Sequence, residues 1–451
     1  MSKILLENPG QKPKQKFKKK LWIWFSIILV IILAIVGGYY YYGDKIFTKN
    51  STAGSPILKK AADGNSISLS QEDDSRINIL FLGYQGAGSQ GAFLTDTIQV
   101  ASIDPINKTY TMISIPRDLY VKISSPSYAG KINGVYEQGA PIGNSKYDGA
   151  ALIKQEVGTI IDVPIHYYVG VSLNGFVQEV NNIGGLDLNV AKRLVDYNYP
   201  ATMYDTGPVK TVTFSAGMQH MDGATALEYA RSRESTSDFD RSGRQQIVIS
   251  AFVKKLLSLG TLSNPAKIAG LVNIASSSIK TDLSLSEIDD VATIIKQIDT
   301  TKTTDAVIDN SATGPLYGAT IDGQDCLTAK GGNWTQVQEF AHQYLPDPFI
   351  TKEAAQIELK NAAGKTVSGN NVSKFLKSYG YNIIDTVVAP ETQTKTIIYD
   401  YSGGKKKYTL QFLASRLNAK VIGKSKPAGS TLDLEIIIGQ DKKDAYANTS
   451  N

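Results

Sequence analysis

The sequence predicts an α/β protein: two folded units of unequal size held at a membrane by one N-terminal helix. Three features of its 451 residues carry that reading. Residues 21–42 form an uncharged apolar run; strand-like and helix-like segments alternate from residue 77 to about residue 297; and a separate six-element series follows from residue 356. Alternation of this kind builds layered α/β domains, and the length suffices for two or three of them.

The run at 21–42 is 22 residues long (LWIWFSIILVIILAIVGGYYYY). At ~1.5 Å per residue it covers about 33 Å, enough to span a bilayer core of ~30 Å. Trp22 and Trp24 stand at one end and Tyr39 to Tyr42 at the other, where interfacial aromatics belong. A cleaved signal peptide has a shorter apolar core, of ~7–15 residues, followed by small residues. Residues 1–20 hold seven lysines and one glutamate, so they form a basic tail kept in the cytoplasm by the positive-inside rule. The expectation is a single-pass cell-membrane protein, N-terminus inside, with a linker at 43–75 and all later domains outside. The tail carries +6 of the chain's net +5, leaving −1 beyond it. A nearly neutral exterior excludes a nucleic-acid-binding face. One cysteine, Cys326, excludes an intrachain disulfide framework and is read as ordinary packing.

Along the exterior chain, 77–82, 97–103 and 110–115 read as strands, 148–159 and 175–183 as helices, and 167–171 and 186–190 as strands again. Asp222 is placed to N-cap a helix running through Ala230, and 241–259 is an amphipathic helix. Residues 261–297 add helical segments, while 302–338 is strand-prone and loop-rich. The second unit reads strand 356–360, helix 370–379, strands 382–388 and 395–401, helix 408–417 and strand 432–438, a β-α-β-β-α-β series.

The chemistry concentrates in 229–246, YARSRESTSDFDRSGRQQ, where four arginines, two aspartates and two glutamines fall within eighteen positions. Arg231 and Arg233, two apart, share a side if the segment is extended. Arg241, Arg244, Gln245 and Val248 fall at i, i+3, i+4 and i+7, one face of a helix. A guanidinium is permanently charged and offers a planar fork matched to phosphate oxygens, so the cluster suits a phosphate or pyrophosphate. The plain alternative is a solvated helix face salt-bridged by Glu234, Asp238 and Asp240.

Further segments stand upstream in order: ILFLG at 79–83, TDT at 95–97, SIPRD at 114–118, GKING around Lys131 and Asn133, and GFVQEVNNIGG at 175–185. With the arginine cluster they resemble the LytR-CpsA-Psr family over roughly 76–345. Residues 354–441 resemble the C-terminal domain often appended to it, through NAAG at 361–364, TIIY at 396–399 and IGQD at 438–441, before a tail at 442–451. The resemblance implies a central mixed sheet flanked by helices. It also implies a transferase at the outer membrane face, moving a glycopolymer from a polyprenyl-pyrophosphate carrier onto peptidoglycan. On that resemblance Arg117, Lys131, Arg231, Arg233, Arg241, Arg244 and Gln245 hold the pyrophosphate, with Asn133 in the K-x-N motif. Asp118 and Asp238 orient arginines or assist the acceptor, and Asp96 binds a divalent cation, Mg2+ or Mn2+. Phosphoryl transfer proceeds by positioning and charge neutralisation, so many arginines and few nucleophiles suit it.

The chain departs from the pattern at Gln85, where family members often carry an aspartate beside the cation. One carboxylate with the donor's phosphates still meets magnesium's needs. Gly83, Gly86, Gly88 and Gly91 alternatively supply a loop whose amides approach phosphates. His166, His220 and His342 fall in no motif and are read as structural. Two other readings stand beside transfer: a non-catalytic surface protein that binds lipid-linked polymer or wall, and a polyprenyl-pyrophosphate hydrolase. A transcription regulator is excluded on the expected topology, because about twenty cytoplasmic residues are too few to fold as a DNA-binding domain.

Overall fold

The computed structural model describes residues 76–87, 91–139, 148–202, 207–233, 238–258, 279–298, 303–364, 367 and 369–442. The expected basic tail, membrane span, linker and final tail beyond residue 442 lie outside them. Among the described residues no helix is long and apolar enough to cross a membrane.

In the larger unit β1 (Ile77–Tyr84) is buried along both faces, as its run INILFLGY requires. It pairs antiparallel with β2 (Thr95–Asp104), which pairs antiparallel with β3 (Thr109–Ser114). The turn between β2 and β3 is held by Asp104 Oδ1, which accepts the amides of Ile106 at 2.9 Å and Asn107 at 2.8 Å. A small hairpin follows, β4 (Tyr120–Ile123) with β5 (Tyr128–Lys131). Helix α1 (Gly149–Ile161), N-capped by Asp148, leads to β6 (Tyr167–Ser172), parallel to β1. Helix α2 (Leu173–Asn182) is capped by Ser172 and leads into β7 (Leu186–Val190), β8 (Leu194–Pro200), β9 (Val209–Phe214) and β10 (Gly217–Met221). Asp222 caps α3 (Gly223–Arg231) by accepting the Thr225 amide at 2.8 Å, as the sequence predicts. Helix α4 spans Asp238–Ser258. The rest of the unit is β11 (Ile279–Thr281), α5 (Leu285–Ile295) with a Ser284–Glu287 capping box, β12 (Thr304–Val307), β13 (Leu316–Ile321), β14 (Gln324–Ala329), α6 (Thr335–Tyr344) and α7 (Pro348–Glu353).

The main sheet has the order β11-β6-β1-β2-β3-β12, with β1/β6 and β3/β12 parallel and the other pairs antiparallel, so it is mixed. Alternation along the strands sends Leu80, Leu82, Val100 and Ile113 into one core with Ile153, Val157 and Ile160 of α1 and Val337 and Ala341 of α6. Ile77, Ile79 and Ile103 face the other way onto Val291 and Ile294 of α5. A third cluster, with Val180, Leu186, Met221, Tyr229 and Val248, packs α2, α3 and α4 against the outer hairpins. Gln246 of α4 ties that layer to the sheet, donating to Ser114 Oγ and the Ala306 carbonyl, both at 2.9 Å.

The second unit runs β15 (Ile357–Asn361), α8 (Gly369–Ser378), β16 (Ile383–Val388), β17 (Ile397–Asp400), α9 (Lys407–Arg416), β18 (Lys420–Gly423) and β19 (Leu434–Ile438), in sheet order β16-β15-β19-β17-β18. The six expected elements are present, and β18 is an addition. Its four residues lie at the sheet edge with their side chains largely exposed, so no burial period marks them. The units meet at Asp162, the left-handed residue ending α1. Its carboxylate accepts the Tyr379 hydroxyl and lies 3.3 Å from Arg416 Nη1, and its carbonyl is 3.1 Å from His342 Nε2. His342 and Arg416 stack on the Tyr379 ring, with centroid separations of 3.7 and 3.6 Å.

Candidate active site

The LG, TDT, PRD and KxN motifs form one structural unit. Gly83 of β1 pairs with Thr97 of β2, and a Cβ on Gly83 would lie 2.9 Å from Thr97 Oγ1. Only glycine lets the two motifs meet that closely. After β3 the chain turns so that the Ile132 amide donates to the Leu119 carbonyl at 2.7 Å and the Asn133 amide to the Arg117 carbonyl at 3.2 Å. Thr95 Oγ1 donates to the Asn133 carbonyl at 3.2 Å. Asn133 thus acts through its backbone, joining the three segments.

The side chains of this unit form a charge ladder. Arg117 Nη1 donates to Asp96 Oδ1, Arg117 Nε lies 3.6 Å from Asp118 Oδ2, and Lys131 Nζ donates to Asp118 Oδ1 at 2.7 Å. All four are half-buried, with side-chain exposures of 20 to 33%. Such pairs are screened less than surface ones and hold both cations in register.

Two chambers meet at this ladder, sharing Asp96, Arg241 and Gln245 in their walls. The first holds about 470 Å³ and is predominantly apolar, lined by Phe81, Val169, Val171, Phe176, Leu227 and Val248 among others. Arg231, Arg233 and Arg241 join Asp96 and Asp196 as its charged wall. The second holds about 440 Å³ between the PRD turn, Lys131, the start of α4 and the β13–β14 hairpin.

Arg231 is the last residue of α3, and Ser232 ends that helix, so an extended pair is not how the two arginines come together. They reach one chamber from a helix end and the turn beyond it. The Arg231 guanidinium stands 5.8 Å from the Tyr199 ring centroid, and the Arg233 amide donates to Asp196 Oδ2 at 2.8 Å. On α4, Arg241, Gln245 and Val248 line the first chamber. Arg241 is 5% exposed, and Gln245 Oε1 is 3.5 Å from Gln99 Nε2.

Arg244 lies elsewhere. It is buried, donating Nε to the Tyr229 carbonyl at 3.1 Å and Nη2 to the Ser232 carbonyl, and it lines neither chamber. Burial pushes its guanidinium below the ordinary value, against the opposing pull of Tyr229, Asp240 and Asp196. It braces the end of α3 that carries Arg231 and Arg233. Asp238 opens α4, but its side chain lies outside the described residues.

Among the described residues no group of three or more His, Cys, Asp or Glu side chains comes together for a metal. Asp96 is the single carboxylate where the chambers meet, and Gln85 lines neither of them. That donor set meets magnesium's minimum of one carboxylate only if donor phosphates supply the rest. Gly86 donates its amide to the Ala92 carbonyl at 2.9 Å, so that N–H closes its own loop, and Gly88 lies outside the described residues. The three histidines are absent from both walls: His166 Nδ1 accepts the Asn78 amide at 3.0 Å, and His220 pairs with Asp187 at 2.7 Å on the surface. Cys326 is buried and lines the second chamber. Sequence reasoning missed Asp196, Tyr199 and the wall from β13–β14. Strands β8 and β9 carry a register shift between Asp196 and Tyr199 that breaks the alternation by which a strand is read.

The chain matches the LytR_cpsA_psr family over residues 44–341 and the family described as LytR cell envelope-related transcriptional attenuator over residues 354–441. The chain belongs to the LytR-CpsA-Psr family. Similar family members include the polyisoprenyl-teichoic acid–peptidoglycan teichoic acid transferase TagU of Enterococcus faecalis, 30% identical over 283 residues, which cover 61% of this chain and 83% of the relative. Its namesake TagV of Bacillus subtilis is 28% identical over 284 residues, covering 60% of this chain and 66% of the relative. The crystal structure of B. subtilis TagV overlays at a TM-score of 0.46 and 25% identity, covering 60% of this chain and 97% of that one. The family's ordered motifs are thus those that build the charge ladder and the two chambers.

Proposed function

We propose that this family member is a phosphotransferase moving a glycopolymer from a polyprenyl-pyrophosphate carrier onto peptidoglycan at the outer face of the membrane. One observation carries the reading: an apolar chamber of about 470 Å³ whose charged wall sets Arg231, Arg233 and Arg241 against Asp96 and Asp196. An apolar compartment beside a cationic patch suits a lipid tail ending in phosphates, and it has no use in a solvated helix face. The relatives named above as polyisoprenyl-teichoic acid–peptidoglycan transferases support the same substrates.

In this reaction an acceptor hydroxyl oxygen attacks the phosphorus joined to the polymer, and the bond from that phosphorus to the lipid phosphate oxygen breaks. Polyprenyl phosphate leaves, its charge neutralised by Arg231, Arg233 and Arg241. Asp118, which lines the second chamber, is placed to take the hydroxyl proton while Lys131 and Arg117 hold it. Magnesium, held by Asp96 and the donor's phosphates, would supply further neutralisation of the phosphoryl oxygens. The uncharged run at 21–42 and its lysine flank support a single-pass anchor with the catalytic unit outside. Protease added to intact spheroplasts should then degrade the C-terminal domain, and its full protection would overturn that topology.

The test of transfer uses full-length protein in detergent with a polyprenyl-pyrophosphate-linked oligosaccharide and soluble peptidoglycan fragments. The expected product is a phosphodiester joining polymer to glycan. Tight donor binding with no product would favour the non-catalytic reading, and release of lipid phosphate with water as acceptor would favour a hydrolase.

A further inference from the structure

We infer that the second chamber is the acceptor site, and that Asn310 and Asp325 recognise the hydroxyls of the incoming glycan while Gly318 keeps its entrance open. The inference rests on the transfer reading and adds the acceptor's place and its contacts. In-line displacement at phosphorus puts the attacking and leaving oxygens on opposite sides of the transferred group. With the lipid in the apolar chamber, the leaving oxygen points there. The acceptor must then enter away from the lipid, and the second chamber, which shares Asp96, Arg241 and Gln245 with the first, adjoins the junction where the phosphates would sit.

Its chemistry differs from the first chamber as a sugar differs from a lipid. Asp118, Lys131, Asn310 and Asp325 supply donors and acceptors, and Asn310 and Asp325 are exposed, so a long polymer can reach them. The wall is also built to hold shape. The Leu327 amide donates to the Asp118 carbonyl at 2.9 Å, fastening β14 to the PRD turn. Asp325 sits beside it, its Oδ1 accepting the Thr320 hydroxyl at 3.1 Å across the hairpin. The turn that carries Asn310 is braced more heavily than a surface turn requires. Lys330 Nζ donates to the carbonyls of Ser311, Ala312 and Gly314 at 3.1, 3.2 and 2.6 Å, and Asp309 Oδ1 accepts the Ser311 amide and hydroxyl. Preorganised polar groups of this kind lower the ordering cost of binding. Gly318 lines the chamber and is exposed, a Cβ on it would meet nothing within 4 Å, and it has no left-handed backbone, so a large side chain can be placed at the chamber's rim without strain.

The experiment is a two-substrate transfer assay with full-length protein, a polyprenyl-pyrophosphate-linked disaccharide as donor and an uncrosslinked peptidoglycan oligosaccharide as acceptor. Direct acceptor binding is followed by saturation-transfer NMR. Gly318→Trp is expected to raise the acceptor KM at least about tenfold, and Asn310→Ala and Asp325→Asn several-fold, as loss of one or two polar contacts implies, with donor KM unchanged. Acceptor signals in the NMR should vanish with Gly318→Trp while melting temperature and donor binding persist. A rise in donor KM with acceptor KM unchanged would assign the chamber to the donor's sugars and overturn the inference. Unchanged values for both substrates would do the same. Should the native protein bind acceptor without transferring, and Gly318→Trp abolish that binding, the acceptor site stands and transfer is what fails.

Discussion

Arg241 and Arg244 lie three residues apart on one helix, and the structure separates their roles enough to be measured. Arg244→Ala removes two charge-assisted hydrogen bonds and leaves the carbonyls of Tyr229 and Ser232 in a site where those residues are 3% and 0% exposed. Each such bond contributes roughly 1.5–3 kcal/mol, and relief of a buried guanidinium's desolvation returns part of the sum, leaving a loss of about 2–4 kcal/mol. For a unit of this size about 2–4 °C of melting temperature goes with each kcal/mol, so a fall of roughly 5–15 °C is expected. Arg241→Ala should weaken binding of a polyprenyl pyrophosphate roughly ten- to a hundredfold, the value of one charge-assisted bond. Scanning calorimetry and fluorescence titration well below either melting point read the two quantities separately. If Arg244→Ala keeps the native melting temperature and loses donor affinity as Arg241→Ala does, the bracing role is wrong and Arg244 belongs to the phosphate site.

Two further outcomes follow from the geometry. Burial, aided by the Arg416 charge, lowers His342 from its ordinary 6.5 to about 3, so the folded protein keeps it neutral while the unfolded chain protonates it. Its contribution to stability is therefore whole above pH ~6.5 and is lost as the pH falls toward 3, at up to about 1.4 kcal/mol per unit. Urea unfolding between pH 7 and 4 should show a shallower acid loss in His342→Gln, and parallel curves would refute it. Asp96→Asn or chelator is expected to reduce transfer more than donor binding, since a cation acts mainly on charge developing at the phosphoryl oxygens; full turnover in chelator removes the metal from the reaction.

The strands of the main sheet were legible because burial on both faces leaves continuous apolar runs such as INILFLG, and the start of α3 because Asp222 is a capping residue. The arginine face was legible only to the extent that helical spacing fixes direction. Spacing says that Arg241, Arg244 and Gln245 leave α4 on one side, but what stands opposite each is set by tertiary packing. There Arg244 meets the carbonyls at the end of α3, while Arg241 lines both chambers. Asp196 and Tyr199 sit on a hairpin whose irregular register hides its period, and Asn310 sits in a turn whose bracing by Lys330 comes from nineteen or so residues downstream. Nothing local in the chain announces either.

The charge ladder explains why a single chain can keep so many cations around one small volume before a substrate arrives. Arg117 and Lys131, on the acceptor side, are held by Asp96 and Asp118. On the lipid side, Asp196 Oδ2 takes the backbone amide of Arg233, fixing the turn while the guanidinium of that residue stays in the chamber wall. The carboxylates therefore differ in place: Asp118 faces the acceptor side alone, Asp96 stands in both walls, and Asp196 on β8 lines the lipid side, where it holds the Arg233 amide and acts on the buried Arg244 charge. A donor pyrophosphate entering from the apolar side meets Arg231, Arg233 and Arg241 before it reaches Asp118 and Lys131. This polarity favours phosphate at the junction of the two chambers, with its leaving oxygen toward the lipid and its attacked face toward Asp118 and the glycan. Reversing it should invert the effect: Asp118→Asn removes the proton acceptor without lifting a repulsion from the donor, so turnover should fall with donor affinity unchanged. A donor affinity that rises several-fold in Asp118→Asn would mean instead that the phosphates sit against that carboxylate, on the acceptor side of the junction.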